Sequence, residues 1–168
     1  MIKTFIIKEN PPYPNHPLPV LYYPRALEKV IEQKDPSGAA KNFFTDNGYT
    51  NGWVNGIFDY HHFHSNTHEV LGCIAGSATI QLGGPGKETY PFYTGDVLLL
   101  PAGVAHKLID ATEDFQVVGA YPNGLQPDTQ RGDAKDYEEV QQRSYDVLVP
   151  DTDPVTKTNG PVQEHWNL

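Results

Sequence analysis

Residues 56–76 read Gly56-Ile-Phe-Asp-Tyr60-His61-His62-Phe63-His64-Ser-Asn-Thr-His68-Glu69-Val-Leu-Gly-Cys73-Ile-Ala-Gly76. Ile57 to His64 is rich in β-branched and aromatic residues, which predicts a strand. On a strand, side chains two apart share a face, so Tyr60, His62 and His64 project together, and His61 and Phe63 project oppositely. Ser65-Asn66-Thr67 is turn chemistry, and Glu69 to Ala75 reads as the returning strand. That return sets Glu69 beside two imidazoles. His68 is a second candidate for the same position, which would make an all-histidine site. Adjacent residues of a regular strand face opposite ways, so Glu69 and His68 cannot both point inward.

A second stretch supplies a further imidazole: Gly95-Asp-Val-Leu-Leu-Leu-Pro101-Ala-Gly103-Val-Ala-His106-Lys-Leu-Ile-Asp110. Val97 to Leu100 is continuously apolar, as expected of a strand buried on both faces. Neutral imidazoles together with a carboxylate suit a divalent first-row metal with positions open to water or substrate. A His-x-His pair on one strand is a weak signal; two separate stretches with matched internal spacing are a strong one.

The two stretches resemble the two signature motifs of the cupin superfamily in their glycines, proline, three histidines and glutamate. Asp110 departs from the asparagine often found there, at a position that is not usually a ligand. The resemblance implies His62, His64, Glu69 and His106 as metal ligands. It implies an all-β fold, the double-stranded β-helix or jelly-roll barrel, with a few short flanking helices. Manganese, iron and nickel suit three histidines and a glutamate, and zinc and copper also fit. Oxygenation, decarboxylation and isomerisation all occur on cupins, so the resemblance implies a metalloenzyme acting on a small polar metabolite, or a non-catalytic metal- or ligand-binding cupin. It also implies a homodimer. Over most of its length the chain is similar to the YjlB-like single-domain bacterial cupins, a group that brings no established reaction with it.

Composition supports the same class. With 38% apolar residues, 15 Gly and 15 Pro among 168, the chain favours short strands and turns over long helices. A formal charge of −9 disfavours nucleic acid and anionic membranes as partners. The single cysteine, Cys73, excludes an internal disulfide and is expected as a small buried hydrophobe. The N-terminus lacks the apolar core of a signal peptide and no segment is apolar enough to span a bilayer, so a cytoplasmic protein is expected.

The organisation expected is one cupin domain over 1–168, with an arm and short helices in 1–55, the barrel core in 56–121, and a helix and wrapping tail in 122–168. Thr4 to Lys8 reads as a first strand, the prolines from Pro11 to Pro19 as an extended surface arm, and Val20 to Tyr23 as an edge strand. Helices are expected over Arg25 to Gln33 and from Pro36, capped by Asp35 and stopped at Asn47-Gly48. The Gly- and Asn-rich stretch from Gly48 to Gly56 reads as a loop anchored by Trp53. Strands follow at Ser77–Leu82, Glu88–Tyr93, Ala105–Ile109 and Phe115–Tyr121, then a weak helix over Asp133 to Arg143. Beyond the metal ligands, Tyr60, His68 and Tyr121 are the candidate catalytic groups.

Overall fold

The computed structural model describes residues 1–167. Nine strands run in chain order: β1 (Lys3–Ile7), β2 (His16–Tyr23), β3 (Tyr49–Asn55), β4 (Glu69–Ala75), β5 (Ser77–Leu82), β6 (Thr89–Tyr93), β7 (Val97–Leu100), β8 (His106–Ala111) and β9 (Gln116–Pro122). They form a six-stranded sheet in the order β1-β2-β7-β4-β9-β3 and a three-stranded sheet in the order β6-β5-β8. Among the described residues the strand pairs are all antiparallel. Three short helices flank them: α1 (Pro36–Asp46), α2 (Tyr137–Tyr145) and α3 (Pro161–His165). This is the expected jelly-roll arrangement. Among the described residues, no helix is long and apolar enough to cross a membrane.

The central strands β4, β7 and β9 of the large sheet are buried on both faces, and strand alternation sorts their side chains. Leu71 and Cys73 of β4, Leu98 and Leu100 of β7 and Val117 of β9 face Ile80, Leu82 and Phe92 of the small sheet. Val70, Ile74, Leu99 and Val118 face outward, where Leu27, Ala40, Phe44, Val162 and Trp166 cover them. Glu69 shares the parity of Leu71 and Cys73, so it enters the space between the sheets. Gly72 points to the covered side, where a Cβ would lie 2.6 Å from Leu27 Cδ1 and 2.9 Å from Phe44 Cζ. Any larger residue there would displace the packed helix.

The caps of α1 follow local chemistry: Asp35 accepts the Gly38 N–H at 3.1 Å, Pro36 opens the helix, and Gly48 at φ +88° follows its end. The tail is pinned to the outer face. Trp166 Nε1 donates to Pro19 O at 2.8 Å, and buried Asp153 accepts Tyr23 Oη at 2.7 Å and Val162 N at 3.0 Å.

Several local expectations are corrected. Residues 1–55 contribute three strands, where two were expected. Val20 to Tyr23 belongs to β2, which lies between β1 and β7 and is not an edge. Pro17 and Pro19 fit within it because neither is among the residues paired across the ladder. Arg25 to Gln33 is a set of turns ending in one 3₁₀ turn, Val30–Glu32. Arg25 sits at φ +55°, and its N–H goes to Asp96 Oδ1 while the Leu27 N–H goes to Gly95 O, so no α-helical ladder starts.

The supposed loop is β3, paired with β9. Backbone hydrogen bonds do not need apolar side chains, and Asn51 at φ +58° marks the irregularity between Thr50 and Trp53 that a polar edge strand tolerates. Conversely, 57–64 is not a regular strand. His62 bridges to His106 and Phe63 to Gln130, so its backbone divides between two partners and no continuous ladder forms. The C-terminal helix begins later than expected, at Tyr137, where Asp136 caps the Glu139 N–H.

Candidate metal centre

His62 and His106 face each other across a two-bond bridge. The His62 N–H donates to His106 O at 3.2 Å and the His106 N–H returns to His62 O at 2.9 Å. Their ring centroids are 4.0 Å apart. The turn Pro101-Ala102-Gly103 reaches back to the first motif, because the Gly103 N–H donates to His64 O at 2.8 Å. Gly103 makes that approach at φ +90°, where a Cβ would sit 2.6 Å from Asn15 O. Thus the two motifs, distant in sequence, are joined through main chain before any side chain is considered.

The structure brings the expected side chains together. One ring nitrogen each from His62, His64 and His106 lie within 4.8 Å of one another. Glu69 Oε1 lies 3.3 Å from His64 Nε2 and 3.3 Å from His106 Nε2. All four residues are buried.

Tautomers follow from the hydrogen bonds. His62 Nδ1 donates to Tyr60 O at 3.0 Å, His64 Nδ1 to Asp128 O at 2.5 Å, and His106 Nδ1 to Val104 O at 3.1 Å. A carbonyl only accepts, so each Nδ1 carries the proton. Where a ring carries only that proton its Nε2 lone pair is free, and the Nε2 atoms of His64 and His106 each lie 3.3 Å from Glu69 Oε1. Such locking of the distal nitrogen is how metal-binding imidazoles are oriented.

Electrostatics agree. Burial would raise the Glu69 pKa, but the charges and hydrogen bonds of His64 and His106 outweigh it and hold the carboxylate ionised. Burial, reinforced by His106, lowers His62 to about 3, so that ring is neutral. For His64 burial pulls downward, yet the Glu69 charge and hydrogen bond win and raise its pKa above the ordinary value. Lone pairs from neutral rings beside a buried carboxylate are mutually repulsive unless a cation or proton lies between them. The donor set therefore fits a divalent metal.

Tyr121 lines the same cavity. Its hydroxyl accepts Trp53 Nε1–H at 2.8 Å, and burial together with the Glu69 charge raises its pKa. Tyr60 does not reach it: its ring stacks on Phe58 at 4.9 Å, with the Arg131 guanidinium 3.8 Å from its centroid on the ring face. His68 lies on the other face of the sheet. Its Nδ1 accepts the Ala102 N–H at 2.9 Å, so Nε2 carries the proton and donates to Leu148 O at 3.1 Å. Neither nitrogen is left for a metal. His68 is buried against Trp166, with ring centroids 4.7 Å apart. Burial lowers its pKa to about 3. Cys73 is a core residue whose thiol burial pushes up to about 12, as befits an inert small hydrophobe.

Sequence reasoning missed Asp128. Besides its carbonyl on His64, its carboxylate accepts the Ser65 N–H at 2.7 Å and hydrogen-bonds Ser65 Oγ. Arg143 of α2 joins them, with Nε donating to Ser65 Oγ at 2.9 Å. Nothing in local spacing announces a residue 64 positions downstream in a polar stretch.

The site opens into a cavity of ≈ 310 Å³. Its walls are largely apolar, including Trp53, Ile57, Phe58 and Leu71.

No family model matches the chain. Over 165 residues it is 39% identical to the "Uncharacterized protein YjlB" of Bacillus subtilis (strain 168), covering 98% of this chain and 96% of that protein. Among solved structures it is similar to the vicilin of Solanum melongena (23% identity, 51% of this chain and 25% of that chain, TM-score 0.39). It is also similar to a variant of the Bacillus subtilis oxalate decarboxylase OxdC (21%, 48% and 22%, TM-score 0.38). A third is procruciferin, an 11S globulin of Brassica napus (12%, 58% and 30%, TM-score 0.40). The chain thus spans less than a third of each of these longer chains.

Proposed function

This chain belongs to the YjlB family, and we propose that it is a divalent-metal-binding cupin whose metal serves a small polar metabolite. His62, His64, His106 and Glu69 would hold the ion. The observation that carries this reading is the shared tautomer: three imidazoles, each fixed through Nδ1 by a backbone carbonyl, gather their remaining nitrogens around one ionised carboxylate. Neutral nitrogens with one carboxylate suit manganese, iron or nickel, and zinc or copper also fit. Such a metal, when bound, supplies Lewis acidity, and iron or manganese also supplies redox chemistry.

The chain's own residues contribute the rest. Glu69 offsets part of the metal charge. Trp53 fixes the Tyr121 hydroxyl, so its single proton points away from the indole, on the side of Glu69. The apolar walls limit water around the donors, which strengthens electrostatic interactions there. Oxygenation, decarboxylation and isomerisation are all compatible with these parts.

A second reading, a non-catalytic metal- or ligand-binding protein, is favoured by one observation. Apart from the four donors, the only ionisable side chain lining the cavity among the described residues is Tyr121, whose pKa is raised. No independent general base is present there. We also read the protein as cytoplasmic and homodimeric, acting without nucleic acid or membrane partners.

Elemental analysis of protein purified without added metal tests the reading. About one divalent ion per chain is expected, and His106→Ala should lose most of it. A folded protein that neither retains nor takes up manganese, iron, nickel, copper or zinc would refute it. Oxygen uptake and product analysis with a panel of organic acids and sugars then separate enzyme from binder.

A further inference from the structure

We propose that the cavity selects a ligand with a single anionic, oxygen-bearing end for the metal and an apolar or aromatic remainder, and rejects a compact dianion. This rests on the metal reading above. The charges inside the cavity carry the first part. Glu69 is the only carboxylate on its walls, and among the described lining residues there is no lysine or arginine. A divalent ion beside one carboxylate leaves a single positive charge, which one ligand carboxylate or enolate neutralises. A second anionic group would be buried without a partner, a strongly unfavourable arrangement. Arg131 is engaged with the face of Tyr60, 3.8 Å from its centroid, and Arg143 with Ser65 and Asp128.

The walls carry the second part. Trp53, Val54, Ile57, Phe58, Leu71 and Pro127 line the cavity with apolar surface. Phe58 is 51% exposed, an aromatic ring left at the rim and stacked on Tyr60. Asn55, Gln126 and Thr129 add neutral polar groups, which hydrogen-bond but cannot balance charge. At ≈ 310 Å³ the cavity lies at the small end of the range for ligand pockets. It fits a short chain or one ring with a carboxylate.

Two probes of equal chain length isolate the second charge. Hexanoate and adipate differ only in whether the far end is a methyl or a carboxylate. Calorimetric titration of the metal-loaded protein should show hexanoate binding at least about tenfold more tightly than adipate, about 1.4 kcal/mol. Phe58→Lys places a cation at a half-exposed position on the cavity wall, and because the Phe58 ring also packs on His62, metal content and melting temperature of the variant are checked first. The substitution should reduce that preference or reverse it. Adipate binding as tightly as hexanoate, neither acid binding at millimolar concentration, or an unchanged ratio in Phe58→Lys would each overturn the proposal. Metal content measured on the same samples keeps the two readings apart. Metal present with the wrong preference refutes only the ligand class, whereas a chain that takes up no metal refutes the site itself.

Discussion

His64 and Asp128 are bound through main chain and side chain at once. The His64 Nδ1–H donates to the Asp128 carbonyl at 2.5 Å, while the Asp128 carboxylate accepts the N–H of Ser65, the residue next to His64, at 2.7 Å. The segment after β9 therefore fixes both the ring and the backbone of one candidate donor. Arg143 extends the link to α2 through Ser65 Oγ.

Removing the carboxylate should loosen the donor without deleting it. Asp128→Ala is expected to weaken metal binding by about 10–100-fold, the usual cost of losing an orienting partner. Competition against a chromogenic chelator measures this. An unaltered Kd would mean that the backbone carbonyl alone suffices.

Metal binding should release a proton. His64 has a raised pKa because Glu69 outweighs the effect of burial, so in the metal-free protein its ring keeps a second proton to higher pH than an ordinary imidazole does. A metal must displace that proton, so affinity should rise with pH through the raised His64 pKa and fall by up to about tenfold per unit below it. Titration in two buffers of different ionisation enthalpy counts the protons released. A pH-independent affinity between pH 6 and 8 would contradict this assignment.

Glu69 and His68 should separate cleanly. Glu69→Gln removes the buried charge among the donors and should abolish most metal affinity. His68→Ala should leave affinity near that of the parent but destabilise the fold by about 2–4 kcal/mol, through two lost hydrogen bonds and a cavity beside Trp166. Metal titration and urea unfolding, run on both variants, distinguish the two effects; the reverse pattern would exchange the roles.

Acid should destabilise the protein by a route independent of metal. Burial lowers His16 to about 4, and burial with His16 nearby lowers His68 to about 3. A depressed folded-state pKa contributes stability above the unfolded value of about 6.5 that is lost as pH falls through the folded value. Each group can cost up to about 1.4 kcal/mol per pH unit in that window. Urea midpoints of chelator-treated protein should fall from pH 7 to pH 4.5, and a flat profile would exclude these two residues as the cause.

Metal should also raise thermal stability. His62 and His64 lie on an irregular segment, Glu69 on β4 and His106 on β8, so the donors converge only in the folded chain. At a free metal concentration 100-fold above Kd the gain is about 2.7 kcal/mol. Melting with and without chelator checks it.

Residue type and spacing were enough to single out His62, His64 and His106 as candidates, and to read the apolar strand Val97–Leu100, the cap at Asp35 and the stop at Asn47-Gly48, because these depend on local geometry and local hydrogen bonding. The choice between Glu69 and His68 was not local. Val70 and Leu71 are equally apolar because the large sheet is covered on both faces, by the small sheet on one side and by α1 and the tail on the other. Alternation says that neighbours point oppositely; only the packed structure says which side holds the imidazoles. The same holds for Tyr49–Asn55, whose polar side chains read as a loop although its backbone pairs with β9, and for Asp128, which reaches His64 from 64 positions away. Backbone pairing and long-range hydrogen bonds leave no periodic trace in side-chain chemistry, so the tertiary structure alone decided them.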